Sequence, residues 1–417
     1  MDNLSHSVVG LAVGEFLHRS LSDEASPQQQ RTRRRLLLFT GWAASNFPDL
    51  DLFLTPLLPA PLGYLLHHRG HTHMLLYALP QALLLWLLIR MLWPSARELL
   101  KQSVAARTGF LLMLALGFML HLSMDFLNSY GLHPFHPFDS RWFYGDMVFI
   151  VEPVFWMAFG APMIMLLSSR ALKIVFMALL AGVPFYFAAR GFLSWASYAA
   201  LMSIAIATGV SQQRAGERGR RGLVLAMAVG LGFVAVQGMS STRARENVAQ
   251  ALHRIDAESR LVDAAMTAFP SNPFCWAFVS VESKSANGSY RLRRGVVSIA
   301  PGIAPVAACP SSLWESDAHA HQAPGIAVTW EAHGSLERLR RLKAENCFFD
   351  AWLRFARAPV VNEATVFDAR YGTSAQGNFT AMALAHSGDR ACPEFIPRWD
   401  YPRADLLAAP AQAGRGH

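Results

Sequence analysis

Between residues 36 and 240 the chain repeatedly forms apolar runs as long as the hydrocarbon core of a bilayer demands. A helix rises about 1.5 Å per residue, so roughly 20 apolar residues cross that core. Only helices or closed barrels can satisfy their own backbone hydrogen bonds there. Runs over 74–93, 108–127, 148–168, 171–189, 191–210 and 222–239 read as spans, preceded by two weaker segments, 4–18 and 36–54. The first weak segment carries His6, Glu15 and His18, and lacks the basic start and small-residue cleavage site of a signal peptide. Charge is correspondingly scarce: 16% of the residues are charged and 53% hydrophobic, against roughly 25% charged in an ordinary globular chain. The expected fold class is mainly α, a polytopic membrane helical bundle of about six to eight transmembrane segments over residues 1–240. An amphipathic linker helix over 241–268 and a C-terminal α/β domain over 269–417 would follow.

The net charge of +8 raises nucleic acid as a partner, but the placement of the basic residues argues against it. Arg31, Arg33, Arg34 and Arg35 form one cluster, and Arg90, Arg97, Lys101 and Arg107 a second. Arg170 with Lys173 makes a third, and Arg214, Arg218, Arg220 and Arg221 a fourth. Each lies between apolar segments, as charge does when it fixes orientation with the basic loops on the cytoplasmic side. No stacking aromatics or groove-reading motif accompany them. If all eight segments cross, residues beyond 240 are extracytoplasmic. All four cysteines, Cys275, Cys309, Cys347 and Cys392, lie in that part. An even number confined to an exported region reads as two disulfides; a zinc site competes, but no C-x-x-C pair supports it.

On this topology the ionisable residues of the membrane part divide by kind. His6, Asp49, Asp51, His67, His68, Arg69, His71, His73, His121, Asp125, His133, His136, Asp139, Asp146 and Glu152 all fall at the outer ends of segments or in outer loops. Such residues are costly beside a bilayer and default to functional candidates. His121 and Asp125 are four apart, so a helix presents both on one face. Asp49-Leu50-Asp51 follows a proline, and His68-Arg69-Gly70-His71-Thr72-His73 offers imidazoles beside a glycine. Mixed histidine and carboxylate sets suit zinc or another transition metal. Each piece also has an ordinary structural reading: a hydrogen-bonded interfacial histidine, a helix-ending turn, an i,i+4 contact. Their convergence on one membrane face is what carries the inference.

Ser5-His6 with Gly10 and Gly14, Asn46-Phe47-Pro48-Asp49-Leu50-Asp51, His68 to His73, and His121-Leu122-Ser123-Met124-Asp125 with Asn128-Ser129-Tyr130-Gly131 resemble the YdjM-like family of bacterial inner-membrane metal-dependent hydrolases. The resemblance covers about residues 1–170. It implies a membrane-embedded helical bundle holding one or two divalent metal ions, zinc by the chemistry of the set. The implied ligands are His6, Asp49, Asp51, His68, His73, His121 and Asp125. Arg69 would be the oxyanion or phosphate contact. Asp146 and Glu152-Pro153 match later acidic positions and are candidates for the general base, although Glu-Pro stands where Asp-Pro is expected.

The functional expectation is a hydrolase in which metal-activated water attacks an ester, here a phosphoester of a lipid or lipid-linked substrate, at the outer face of the inner membrane. The alternatives are a non-catalytic metal-stabilised scaffold or a transporter-like ion-binding protein. Beyond 240, residues 243–268 read as an amphipathic helix and 336–358 as helical. Residues 275–281, 295–299 and 360–386 read as strand-like, with Asn287-Gly288 marking a turn.

Overall fold

A computed structural model describes residues 1–216, 218–284, 288–310, 321–323, 325–384 and 391–408. The membrane part opens with two antiparallel helices, α1 (Asn3–Ser20) and α2 (Pro27–Ala44). They cross at Gly10 and Gly41, where a Cβ on either residue would run into the other's carbonyl. Small residues at such a crossing let helix backbones approach closely in a bilayer. Here the approach brings the start of α1 beside the end of α2, and Ser45 Oγ donates to the His6 carbonyl at 3.0 Å.

The helices α3 (Leu62–His67), α4 (Leu75–Leu92), α5 (Pro94–Gln102), α6 (Val104–Phe126), α7 (Pro153–Met165), α8 (Arg170–Ala189), α9 (Trp195–Ala215) and α10 (Arg221–Ile255) follow. Among the described residues α4, α6, α8 and α10 are long and apolar enough to cross a membrane. Only 17% of the α4 window and 11% of the α8 window are buried within the protein. Leu79, Leu83, Ile174 and Leu179 stand outward, which a helix packed for water would not tolerate as continuous apolar faces.

Two boundaries and one fold reading require correction. The second weak segment, 36–54, is displaced: Ser26 caps α2 at Gln29 N and Pro27 takes the first helical position, so the helix begins with the polar Gln and Arg residues. It ends at Ala44, where the Ser45 N–H turns back to the Gly41 and Ala43 carbonyls and the chain passes into the 3-10 turn opened by Pro48. The linker 241–268 is not a separate helix. α10 runs unbroken for 35 residues, about 52 Å at the helical rise, and its last turns pack against the C-terminal strands. Residues 260–269 are a strand, paired along their length with the next. The alanines of that segment favour helix locally, but sheet pairing overrides the preference. The last correction concerns the α/β reading of the tail. Its core is an antiparallel sheet rather than alternating β and α units.

That sheet contains β1 (Arg260–Phe269), β2 (Asn272–Lys284), β3 (Ser289–Ser298), β4 (His321–Ala323) and β5 (Ile326–Ser335), in the order β1-β2-β3-β5-β4. Ala244, Val248, Ala251 and Leu252 of α10 pack on one face against Ala264, Met266, Trp276 and Val328. On the other face lie α11 (Leu336–Glu345) and α12 (Cys347–Leu353), together with a small antiparallel sheet of β6 (Pro359–Val361), β7 (Thr365–Asp368) and β8 (Met382–Ala383). A short helix, α13 (Ala404–Leu407), closes the described chain. Strands β2 and β3 pair antiparallel, but Asn287 of the expected turn lies outside the described residues. Disulfides join Cys275 to Cys309 and Cys347 to Cys392.

The core on that second face also takes in Leu62, Leu65, Leu66 and Tyr130 from the membrane part. Arg370 Nη1 donates to the Ser129 carbonyl at 2.9 Å. The sheet domain therefore sits directly on the loops leading into α4 and out of α6. The arginine-rich ends gather elsewhere: Arg19 of α1 reaches the Gly219 carbonyl ahead of α10, and Arg34 pairs with the buried Glu15 at 2.8 Å.

Candidate metal centre

Four elements converge on one buried point. α1 brings His6, a 3-10 turn at Pro48–Phe53 brings Asp49 and Asp51, the loop after α3 brings His68 to His73, and the last turns of α6 bring His121 and Asp125. Proline opens the turn, and its spacing of two places both carboxylates inside. Arg69 adopts a left-handed backbone with φ 60°. That conformation disfavours a residue with a Cβ and persists where the surroundings enforce it. It allows His68 to meet Asp51 while the Arg69 side chain reaches Asp125. The following Gly70 offers its carbonyl to His133 Nε2 at 2.9 Å. Burial pushes the His133 imidazole down to about 3, so it serves as a neutral prop for this loop.

One atom each from Asp49, His73, His121 and Asp125 lie within 4.8 Å of one another, all in buried residues. His73 Nε2 is 3.0 Å from His121 Nε2, 3.3 Å from Asp49 Oδ1 and 3.2 Å from Asp125 Oδ2. The outer hydrogen bonds decide what those nitrogens carry. His121 Nδ1 is 2.8 Å from the Ser45 carbonyl, which can only accept, so the proton sits on Nδ1 and Nε2 has a lone pair. Thr72 donates its hydroxyl proton to Asp51 Oδ2 at 2.5 Å and meets His73 Nδ1 at 2.9 Å. The hydroxyl oxygen must therefore accept from His73 Nδ1, which leaves the second Nε2 a lone pair as well. Two imidazole lone pairs and two carboxylate oxygens then face one point, and Asp125 Oδ2 is buried without a hydrogen-bond donor.

Such a set calls for a cation. Burial alone would lower the His73 pKa, yet hydrogen bonds to Asp125 and Asp49 outweigh it and the pKa is raised, so a proton answers the demand when nothing larger does. A divalent ion with nitrogen and oxygen ligands fits the same donors, each oriented by an outer hydrogen bond as metal ligands are. A second group, Asp49, Asp51 and His68, shares Asp49 with the first, and His68 Nδ1 lies 3.0 Å from Asp51 Oδ1.

His6 stands apart from these groups. Its Nε2 is 3.3 Å from Asp125 Oδ1 and its ring stacks on His121 at 4.2 Å. It steadies Asp125 and His121, whereas the sequence places it among the ligands. Arg69 Nη2 donates to the same Oδ1 at 2.9 Å, and the amino group of Met1 approaches it too.

Asp146 and Glu152, the expected bases, do not enter the cluster. Asp146 accepts both Nη1 and Nη2 of Arg357, each at 2.9 Å, and Arg245 at 2.6 Å. Glu152 caps α7 through Val154 N and accepts from Ser271 N and Oγ at 3.1 and 2.6 Å. Burial raises its pKa to about 7. Both carboxylates dock the sheet domain onto the membrane part. The sequence assigns no role to Thr72 and Ser45, which set the tautomers, nor to Asn128 and Tyr130, which border Arg69 and stand in the motifs that carry the family resemblance. Thr72 lies inside the histidine motif and carried that much signal; Ser45 acts through its backbone and carried none.

A model of the YdjM inner membrane protein family matches residues 1–244. The chain belongs to the YdjM family. No curated protein and no solved structure matches it. All the clustered histidines and carboxylates lie within the YdjM region. That region ends inside α10, so the sheet domain lies beyond it.

Proposed function

We propose that this YdjM family protein is a metal-dependent hydrolase acting at the outer face of the inner membrane on a phosphoester of a lipid or lipid-linked molecule. The observation that carries the reading is the convergence of four lone pairs from Asp49, His73, His121 and Asp125, tautomers fixed, on one buried point. An ion bound there, zinc by the ligand chemistry, supplies Lewis acidity and activates water at neutral pH. Arg69, fixed by Asp125 and Asn128, stabilises negative charge developing on the substrate. His68 is the candidate base: Asp51 holds its Nδ1 proton, leaving Nε2 to accept one. Because Asp49 belongs to both groups, it is the carboxylate that could border two ions.

The lipid assignment rests on depth. The cluster lies at the ends of α1, α2 and α6, where headgroups meet the helices, while the Arg19, Arg34 and Gly219 contacts mark the opposite ends. The outward orientation rests on those basic ends lying inside and on two disulfides in the sheet domain. The test is turnover of lipid phosphoesters by the purified, metal-loaded protein. Hydrolysis abolished by His73→Ala and Asp125→Ala supports the proposal. Full metal occupancy with no turnover on any phosphoester class leaves a metal-stabilised scaffold instead.

A further inference from the structure

Beside the metal cluster, where the membrane loops meet the sheet domain, three buried donors have no hydrogen-bond partner, Arg69 Nε, Asn128 Nδ2 and Tyr371 Oη, and beside them the Tyr130 hydroxyl adjoins that of Tyr64. All four can donate. The Asn128 amide cannot be turned to relieve this, because its Oδ1 already accepts Tyr130 N at 2.9 Å and Arg69 Nη1 at 3.3 Å. Its NH2 group is thus held as the unsatisfied end. The residues adjoin one another. Arg69 Cζ lies 4.6 Å over the Tyr130 ring, and the Tyr130 and Tyr371 rings are 6.1 Å apart. Leaving a buried donor unpaired costs about 1–3 kcal/mol each, and three in one place mark a site built for an acceptor. The guanidinium and the amide NH2 can only donate, and with the charge of the guanidinium this favours an anion over a neutral polar group.

We infer that Arg69, Asn128, Tyr130 and Tyr371 form an oxyanion-binding subsite for a phosphoryl group, and that the C-terminal sheet domain completes it. The inference rests on the proposed hydrolase reading for its substrate, but the subsite itself does not require turnover. Three of the donors come from the part that the YdjM model covers. Tyr371 comes from the sheet domain beyond it, between β7 and β8. Tyr371 is itself seated against Phe355 and Phe379, with ring centroids 6.1 and 4.5 Å away. The sheet domain is therefore a specificity element: it limits the site to substrates whose phosphoryl group fits under Tyr371.

The test uses the full-length, zinc-loaded protein in detergent or nanodiscs, with inorganic phosphate as one probe and phosphatidic acid in phosphatidylcholine nanodiscs as the other. Tyr371→Phe removes only an unpartnered hydroxyl, and Tyr130→Phe only the hydroxyl that adjoins Tyr64. Each variant should keep its metal and its phosphate-free melting temperature, or melt slightly higher, while affinity for the bound probe falls about tenfold, as expected when a hydrogen bond to a charged group is lost. Binding of phosphate identifies a site for the free ion; binding confined to the phosphatidic acid nanodiscs identifies a headgroup site. Either supports the subsite when both variants weaken it. Wild-type protein that binds neither probe, or variants that bind as tightly as wild type, overturn the inference. Tyrosine-dependent binding without hydrolysis of any lipid phosphoester would sustain the subsite and overturn the hydrolase.

Discussion

Replacing Glu152 by Gln should flatten the pH dependence of stability. Glu152 is wholly buried where α7 begins and accepts hydrogen bonds from Ser271 in the β1–β2 turn. Burial raises its pKa from 4.5 to about 7, so between those values the folded protein holds a proton that the unfolded chain has released. Stability from this group is fully present below pH 4.5 and is lost as pH rises through 7. At 1.36 kcal/mol per pH unit over that window, the loss is about 3 kcal/mol. Glutamine is neutral throughout and keeps an acceptor for Ser271, so Glu152→Gln should remove that slope and leave the remainder of the pH profile. The assay is thermal or denaturant unfolding of the sheet domain in detergent from pH 4.5 to 8, followed by tryptophan fluorescence, wild type beside variant. Matching slopes in the two proteins would refute the reasoning.

Thr72→Val removes the hydroxyl that fixes the His73 tautomer and should weaken metal affinity about 10- to 100-fold in a competitive chelator titration, with Thr72→Ser restoring it. Arg357→Ala strips the bidentate partner from the fully buried Asp146 and removes one of the three arginines paired with Asp263; it should destabilise the protein by about 3–5 kcal/mol in unfolding measurements, and Asp146→Asn in the same chain should recover part of that. Loss of the Cys275–Cys309 bridge, which spans 34 residues, should cost about 4 kcal/mol on the chain-entropy estimate, read as a lower unfolding midpoint in Cys275→Ala/Cys309→Ala.

The apolar runs and the polar cluster were legible for different reasons. Runs such as 108–127 express a length that the bilayer imposes, so α6 appears in the sequence almost at its true limits. The cluster was legible because His121 and Asp125 share a helix face and because the Asp49-Leu50-Asp51 and His68 to His73 motifs are compact. Asp146 and Glu152 carried the same acidic signal but a different role. Their partners, Arg357 and Ser271, are far away in sequence and belong to a domain whose sheet registry no local pattern encodes. The end of α10 was misplaced for a related reason: the alanine-rich stretch from Ala264 is helical by propensity and becomes strand only because β2 lies beside it. His6 looked like a ligand by type, and only the position of Asp125 Oδ1 distinguishes steadying a ligand from being one.

The central claim is that Asp49, His73, His121 and Asp125 hold a divalent ion. Metal content of the detergent-purified protein, measured by inductively coupled plasma mass spectrometry for wild type, His73→Ala and Asp125→Ala, tests it most directly. The account predicts at least one equivalent of divalent metal per wild-type chain and its loss from both variants, with each still folded by its disulfide-linked sheet domain. Wild-type protein that neither carries nor takes up a stoichiometric divalent ion would contradict it.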